Sequence, residues 1–159
     1  MSIQVGEQIP SAQVTIMGEE GPRMVDTREL FGKGRIVLFA VPGAFTPTCT
    51  EAHLPGYVVN ADKIKAKGVE RIFCLAMNDA FVMDAWGKSQ NAEAISMIAD
   101  GNGNFARALA LTLDASGFGM GTRSQRFALI AEDGVVRQLF LEEGAGLENS
   151  AAEKVLAAL

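Results

Sequence analysis

Short apolar runs separated by turn residues organise the chain. After a leading arginine, Arg35–Val41 and Arg71–Met77 are unbroken apolar stretches, the pattern of strands covered on both faces. Between them Thr50–Lys67 reads as a helix ending at Gly68, with Pro55 and Gly56 predicting a kink near its first turns. Strand, helix and strand at this spacing form a βαβ unit, whose crossover is right-handed in nearly all folds. Upstream, Val14–Ile16 and Met24–Val25 flank a turn-rich Gly18–Pro22 and predict a small hairpin, followed by a capped helical turn over Thr27–Gly32. Downstream come a helix over Asp79–Ser89 with Asn78-Asp79 as its cap, a short strand Ile95–Ala99 and a helix over Asn104–Ala110. Arg126–Ala131 and Val135–Leu141 bracket Glu132-Asp133-Gly134, a strong hairpin signal, and Ala151–Leu159 closes the chain as a helix.

These elements predict an α/β protein, thioredoxin-like in outline, with a mixed central sheet flanked by helices. With no repeat and no Pro/Gly/Ser-rich linker, residues 1–159 read as one domain. Composition narrows the function. The 14 basic and 19 acidic side chains leave a net charge of −5, which argues against nucleic acid as a partner. The longest apolar run, Ile36–Pro42, is far shorter than the roughly 20 residues of a membrane span, so no membrane association is expected. Met1–Glu7 lacks the basic-then-apolar pattern of a secretory signal. Two cysteines and one histidine are too few for a disulfide scaffold or a tetrahedral zinc site. A reducing, cytoplasmic compartment is expected, where a cysteine is either core filler or chemistry.

Chemistry concentrates in Val41-Pro42-Gly43-Ala44-Phe45-Thr46-Pro47-Thr48-Cys49, where the first central strand gives way to the long helix. That junction is the carboxyl edge of the sheet, where open α/β folds place ligand sites. Cys49 falls at a helix N-terminus, an environment that favours thiolate and hence a reactive sulfur; the bland alternative is a small buried residue. The Thr46 hydroxyl can both donate and accept, or simply cap the helix. Pro42 either punctuates the strand or shields the sulfur from water. His53, one helical turn past Cys49, suggests a cysteine–histidine pair, but packing or hydrogen bonding is its default role.

Pro42-x-x-x-Thr46-x-x-Cys49 resembles the active-site signature of peroxiredoxins, and the string from Pro42 to Tyr57 is similar to their type II (peroxiredoxin V) branch. The similarity continues through Lys67-Gly68-Val69, Cys74-Leu75, Asn78–Val82 with Trp86, and Gly121–Ala128. The resemblance implies a thiol peroxidase reducing hydrogen peroxide and small organic hydroperoxides. In it Cys49 attacks the O–O bond and becomes a sulfenic acid, Thr46 and Arg126 hold the peroxide oxygens and the thiolate, and Pro42 shields the site. It also implies a homodimer with its contact surface near the active-site loops, served by some of Phe45, Phe81, Trp86 and Phe118. No cofactor is implied.

This chemistry suits the residue types. Attack of S⁻ on O–O moves charge to the departing oxygen, so fixed donors on both oxygens stabilise the transition state most. A planar, permanently charged arginine fits that task. Strand alternation puts Arg126 on one face with Ala128 and Ile130; Arg123 is the rival, with a supporting or surface role expected. Cys74 lies in the apolar run Ile72–Leu75 and reads first as core. No cysteine follows it, so an external thiol, glutathione or a glutaredoxin, is the expected reductant, with thioredoxin next and Cys74 as the sole internal candidate. Two rivals remain: a non-catalytic redox-sensing module of the same fold, and a disulfide oxidoreductase, against which the lack of Cys-x-x-Cys weighs.

Overall fold

The computed structural model describes residues 2–144 and 146–159. Nine strands, β1 (Gln13–Gly18), β2 (Gly21–Asp26), β3 (Arg35–Ala40), β4 (Arg71–Ala76), β5 (Ile95–Ala99), β6 (Thr112–Asp114), β7 (Thr122–Ser124), β8 (Phe127–Glu132) and β9 (Val135–Leu141), are described. Among them lie helices α1 (Thr27–Phe31), α2 (Leu54–Lys65), α3 (Ala80–Ser89) and α4 (Asn104–Leu109), and α5 (Ala152–Ala158) follows β9. Seven strands make one sheet in the order β2-β1-β5-β4-β3-β8-β9. Its centre, β5-β4-β3, is parallel, and β8 joins β3 antiparallel, giving the mixed sheet expected from the sequence. The predicted Asp133-Gly134 hairpin links β8 and β9, with both residues at positive φ.

Strand alternation divides the core in two. Val37 and Phe39 of β3, Ile72 and Cys74 of β4, and Ala128 and Ile130 of β8 face one way, beneath Tyr57 and Ile64 of α2, Trp86 of α3 and Val155 of α5. Their neighbours Ile36, Leu38, Phe73, Leu75, Phe127 and Leu129 face the other way, under Phe31 of α1 and Phe105 of α4. Both faces of the central strands are therefore covered, which is why their sequences are apolar without alternation.

Three expectations need correction. The long helix does not start at Thr50: a helical turn opens at Pro47, passes through a π-turn over Cys49–His53 and continues as α2, ending at Lys65. The kink expected at Pro55 takes the form of that π-turn. Pro55 has no N–H for the carbonyl four residues back, so the turn before it widens, and Leu54 N–H reaches the Cys49 carbonyl instead. Only Asp79 caps α3, its carboxylate accepting from Val82 N–H; Asn78 is used elsewhere. Finally, β8 begins at Phe127, leaving Arg126 just before the strand. The β6–β7 pair, with three residues in each strand, was too short to be read from periodicity.

Candidate active site

The segment between β3 and the π-turn is held from several sides. The Val41 N–H donates to the Leu75 carbonyl at 3.0 Å, carrying the sheet one residue past β3. Pro42 and Gly43 are buried. The Gly43 carbonyl accepts the Thr46 hydroxyl at 2.6 Å, which uses the hydrogen of that hydroxyl and leaves its oxygen as an acceptor. The Ala44 N–H donates to Asn78 Oδ1 at 2.9 Å, and Phe45 adopts a left-handed φ of 64° with its ring exposed. The Thr46 carbonyl accepts the Thr50 N–H at 2.9 Å, the first bond of the helix, so Cys49 sits in the opening turn as expected. Pro47 stands where a missing N–H is harmless.

Arg126 reaches this turn from the adjacent strand edge. It is 3% exposed, and its Nη2 donates to Cys49 Sγ at 3.2 Å. The strand alternation that aligned Arg126 with Ala128 and Ile130 therefore aims it at the sulfur. Its Nη1 lies 2.8 Å from His53 Nδ1. Arginine can only donate, so Nδ1 is the acceptor and the imidazole proton sits on Nε2. Nε2–H then donates to the Ser150 carbonyl at 3.1 Å, which also accepts the Tyr57 hydroxyl at 2.7 Å. Burial, with the Arg126 charge beside it, pushes His53 down to about 3. The ring is neutral with its lone pair engaged, so it serves hydrogen bonding rather than proton abstraction. Arg126 Nε is buried and has no hydrogen-bond partner among the described residues. Nε–H and Nη2–H point from the same edge of a guanidinium, so this open donor lies beside the one on sulfur.

Cys74 stands on β4 opposite Phe39 of β3, fully enclosed, and both cysteines are free. Burial raises its thiol pKa well above the ordinary value; the charge of Cys49 adds to this, and Arg126 opposes it. Arg123 braces the loop: its Nε donates to the Met120 carbonyl at 3.0 Å, and Nη1 makes a long 3.5 Å contact with the Pro42 carbonyl. Trp86 is buried, its indole N–H donating to Thr50 Oγ1 at 3.1 Å, whereas Phe45, Phe81 and Phe118 are exposed. Among the described residues no cluster of His, Cys, Asp and Glu could hold a metal, and no helix is long and apolar enough to cross a membrane. Sequence reading missed Asn78 as the tether of Ala44 and Ser150 as the carbonyl behind His53. Neither residue type nor spacing signals those contacts.

Comparison with known proteins places the whole chain in one family. The Redoxin family matches residues 4–156. The chain is 42% identical to "Peroxiredoxin-2E, chloroplastic" of Arabidopsis thaliana over 99% of its length and 70% of that protein's. It is 43% identical to "Peroxiredoxin-2C" of Oryza sativa subsp. japonica over 99% and 98% of the two chains. A crystal structure of reduced Prx3 in complex with H2O2 from Vibrio vulnificus superposes with a TM-score of 0.95 and 52% identity, covering 98% of each chain.

Proposed function

The chain belongs to the peroxiredoxin family, in its type II branch, and is a thiol peroxidase; from that premise we propose that Cys49 is the peroxidatic sulfur and that Arg126, Thr46 and Pro42 complete its site. One observation carries the assignment. The buried guanidinium of Arg126 puts one donor on Cys49 Sγ and leaves the adjacent donor, Nε, open. A hydroperoxide oxygen placed between sulfur and that edge satisfies the open donor, and the fixed positive charge follows the electrons as they leave sulfur.

In the reaction the Cys49 thiolate attacks the nearer oxygen of ROOH. An S–O bond forms as the O–O bond breaks, that oxygen keeps its hydrogen, and RO⁻ departs and takes a proton from water. Sulfur is oxidised to the sulfenic acid, and the peroxide is reduced to ROH, which is water when R is hydrogen and an alcohol otherwise. Thr46 Oγ1, its hydrogen already committed to Gly43, accepts the hydrogen of the bound hydroperoxide. Buried Pro42, which offers no N–H, covers the sulfur. A first thiol displaces water from the sulfenic acid to give a mixed disulfide, and a second releases Cys49 and leaves as a disulfide.

An external thiol, glutathione with glutaredoxin or else thioredoxin, fits this cycle, because the other cysteine is sealed in the core and kept as a weak nucleophile. The enzyme acts in solution as one domain over residues 1–159, in the cytoplasm, where its free cysteines suit a reducing compartment. It works as a homodimer joined near the site. Exposed Phe45 lies in the Cys49 loop, Phe81 follows the Asn78 tether, and Phe118 stands two residues from Met120, which abuts Gly43.

Mixing reduced protein with one equivalent of hydrogen peroxide, quenching within seconds and weighing the protein tests the core assignment. Gain of one oxygen, lost in Cys49→Ser and slowed by a factor of about 10²–10³ in Arg126→Ala, is the expected result. An unaltered rate in either variant would remove that residue from the site. Sedimentation of the wild type beside Phe118→Asp tests the dimer.

A further inference from the structure

Arg126 is buried, yet no carboxylate forms an ion pair with it among the described residues. Its fixed partner is a neutral imidazole. That choice has consequences. A carboxylate at Nη1 would hold the guanidinium equally well but would neutralise much of the charge needed by the thiolate and the departing oxygen. A neutral acceptor orients the group and leaves its charge available.

The imidazole is itself locked. Its Nε2–H is held by the Ser150 carbonyl, and its ring is flanked by Phe39 at 5.0 Å and Tyr57 at 5.6 Å between centroids. Phe39 and Tyr57 stack on each other with centroids 3.9 Å apart and planes 3° from parallel. Ser150 is fixed in turn by Glu142, whose Oε2 accepts the Ser150 N–H and hydroxyl, each at 2.7 Å, and the Glu148 N–H at 3.0 Å. The Glu142 N–H donates to the Arg126 carbonyl at 3.2 Å, so both ends of Arg126 are tied to this segment. The Glu142 carboxylate is thus occupied with backbone and hydroxyl groups instead of the guanidinium.

We propose that His53 is a positioning residue for the peroxidase reaction: anchored by the Ser150 carbonyl, it grips Nη1 of Arg126 and fixes the pose in which the guanidinium meets Cys49 and the hydroperoxide. This rests on the reading of Cys49 and Arg126 as the peroxide site. It assigns His53 a task beyond packing, and it makes the segment around Ser150 part of the active-site support.

The test compares wild type, His53→Leu, His53→Gln and Arg126→Ala in two reactions of Cys49: oxidation by hydrogen peroxide, read by rapid-quench mass spectrometry, and alkylation by iodoacetamide. Alkylation needs the thiolate but no donor for a departing oxygen. Glutamine presents an acceptor oxygen and a donor nitrogen spaced much like the two imidazole nitrogens. His53→Leu is expected to slow the peroxide reaction by up to ~10²-fold, the scale of a misplaced catalytic group. Alkylation is expected to change by less than about threefold, because thiolate character is governed by the retained charge. His53→Gln is expected to recover most of the loss. A wild-type peroxide rate in His53→Leu overturns the proposal. So does an equal fall in both reactions, or a glutamine variant no better than leucine. If Arg126→Ala retains full peroxide reactivity, the site assignment itself fails and the role of His53 falls with it; if Arg126→Ala is slow and His53→Leu is not, only the positioning role fails.

Discussion

Asn78 Oδ1 accepts the Ala44 N–H at 2.9 Å, tying the loop before Cys49 to the turn that opens α3, 34 residues away. The bond is part-buried, and it spans the two segments that follow the parallel strands β3 and β4. Asn78→Ala should lower stability by about 1 kcal/mol, the usual net worth of such a bond, and slow peroxide reduction by freeing the loop. Asn78→Asp keeps the acceptor and should stay closer to wild type. Urea unfolding and single-turnover rates on both variants check this; identical behaviour of the two would show that the acceptor is not what matters.

Gly43 leaves a side chain only tight space, which its neighbours must give way to fill. A Cβ there would lie 3.1 Å from both Thr46 Cγ2 and Met120 Cε, and 3.2 Å from Arg123 Nη1. Gly43→Ala should therefore displace Thr46, whose hydroxyl is bonded to this residue's carbonyl, and cost about 1–3 kcal/mol as overpacking does. Peroxide reactivity should fall with it, while a buried volume change elsewhere would affect stability alone. Measuring both quantities on the same sample decides the point.

Cys74→Ala should leave the rate of Cys49 oxidation within about twofold of wild type, because a thiol raised this far has little thiolate to contribute. Stability should drop by about 1–2 kcal/mol from the cavity in the core. A loss of peroxide turnover with stability intact would instead make Cys74 a participant in the cycle.

The neutral state of His53 makes stability depend on pH. Its pKa in the folded chain is about 3, against 6.5 ordinarily, so the unfolded chain takes up this proton first as pH falls. The stabilisation is fully present above about pH 6.5 and is lost on the way down toward pH 3, with a limiting slope of about 1.4 kcal/mol per pH unit. His53→Gln lacks this proton uptake. Denaturant unfolding at pH values between 6 and 4 should give a shallower decline for the variant, and parallel curves would contradict the assigned protonation state.

Much of this protein follows from local pattern. Unbroken apolar runs specify β3 and β4 as doubly covered strands, Asp133-Gly134 sets the β8–β9 hairpin, and Asp79 starts α3. The motif around Cys49 lies on contiguous chain, so its residues and chemistry are legible without a fold. The alternation of β8, continued one residue back, even assigns Arg126 to the face it occupies. Pro55 announces an interruption, and the structure realises it as the π-turn over Cys49–His53. Only the tertiary structure decides the contacts across long separations: Arg126 with Cys49 over 77 residues, His53 with Arg126 over 73, and the Ser150 carbonyl with His53 over 97. Periodicity reports which side of an element is buried, whereas these bonds depend on the order of strands in the sheet and on where each chain segment returns. A backbone carbonyl such as that of Ser150 has no residue-type signature, so nothing in the sequence could mark it as the support behind the active-site arginine.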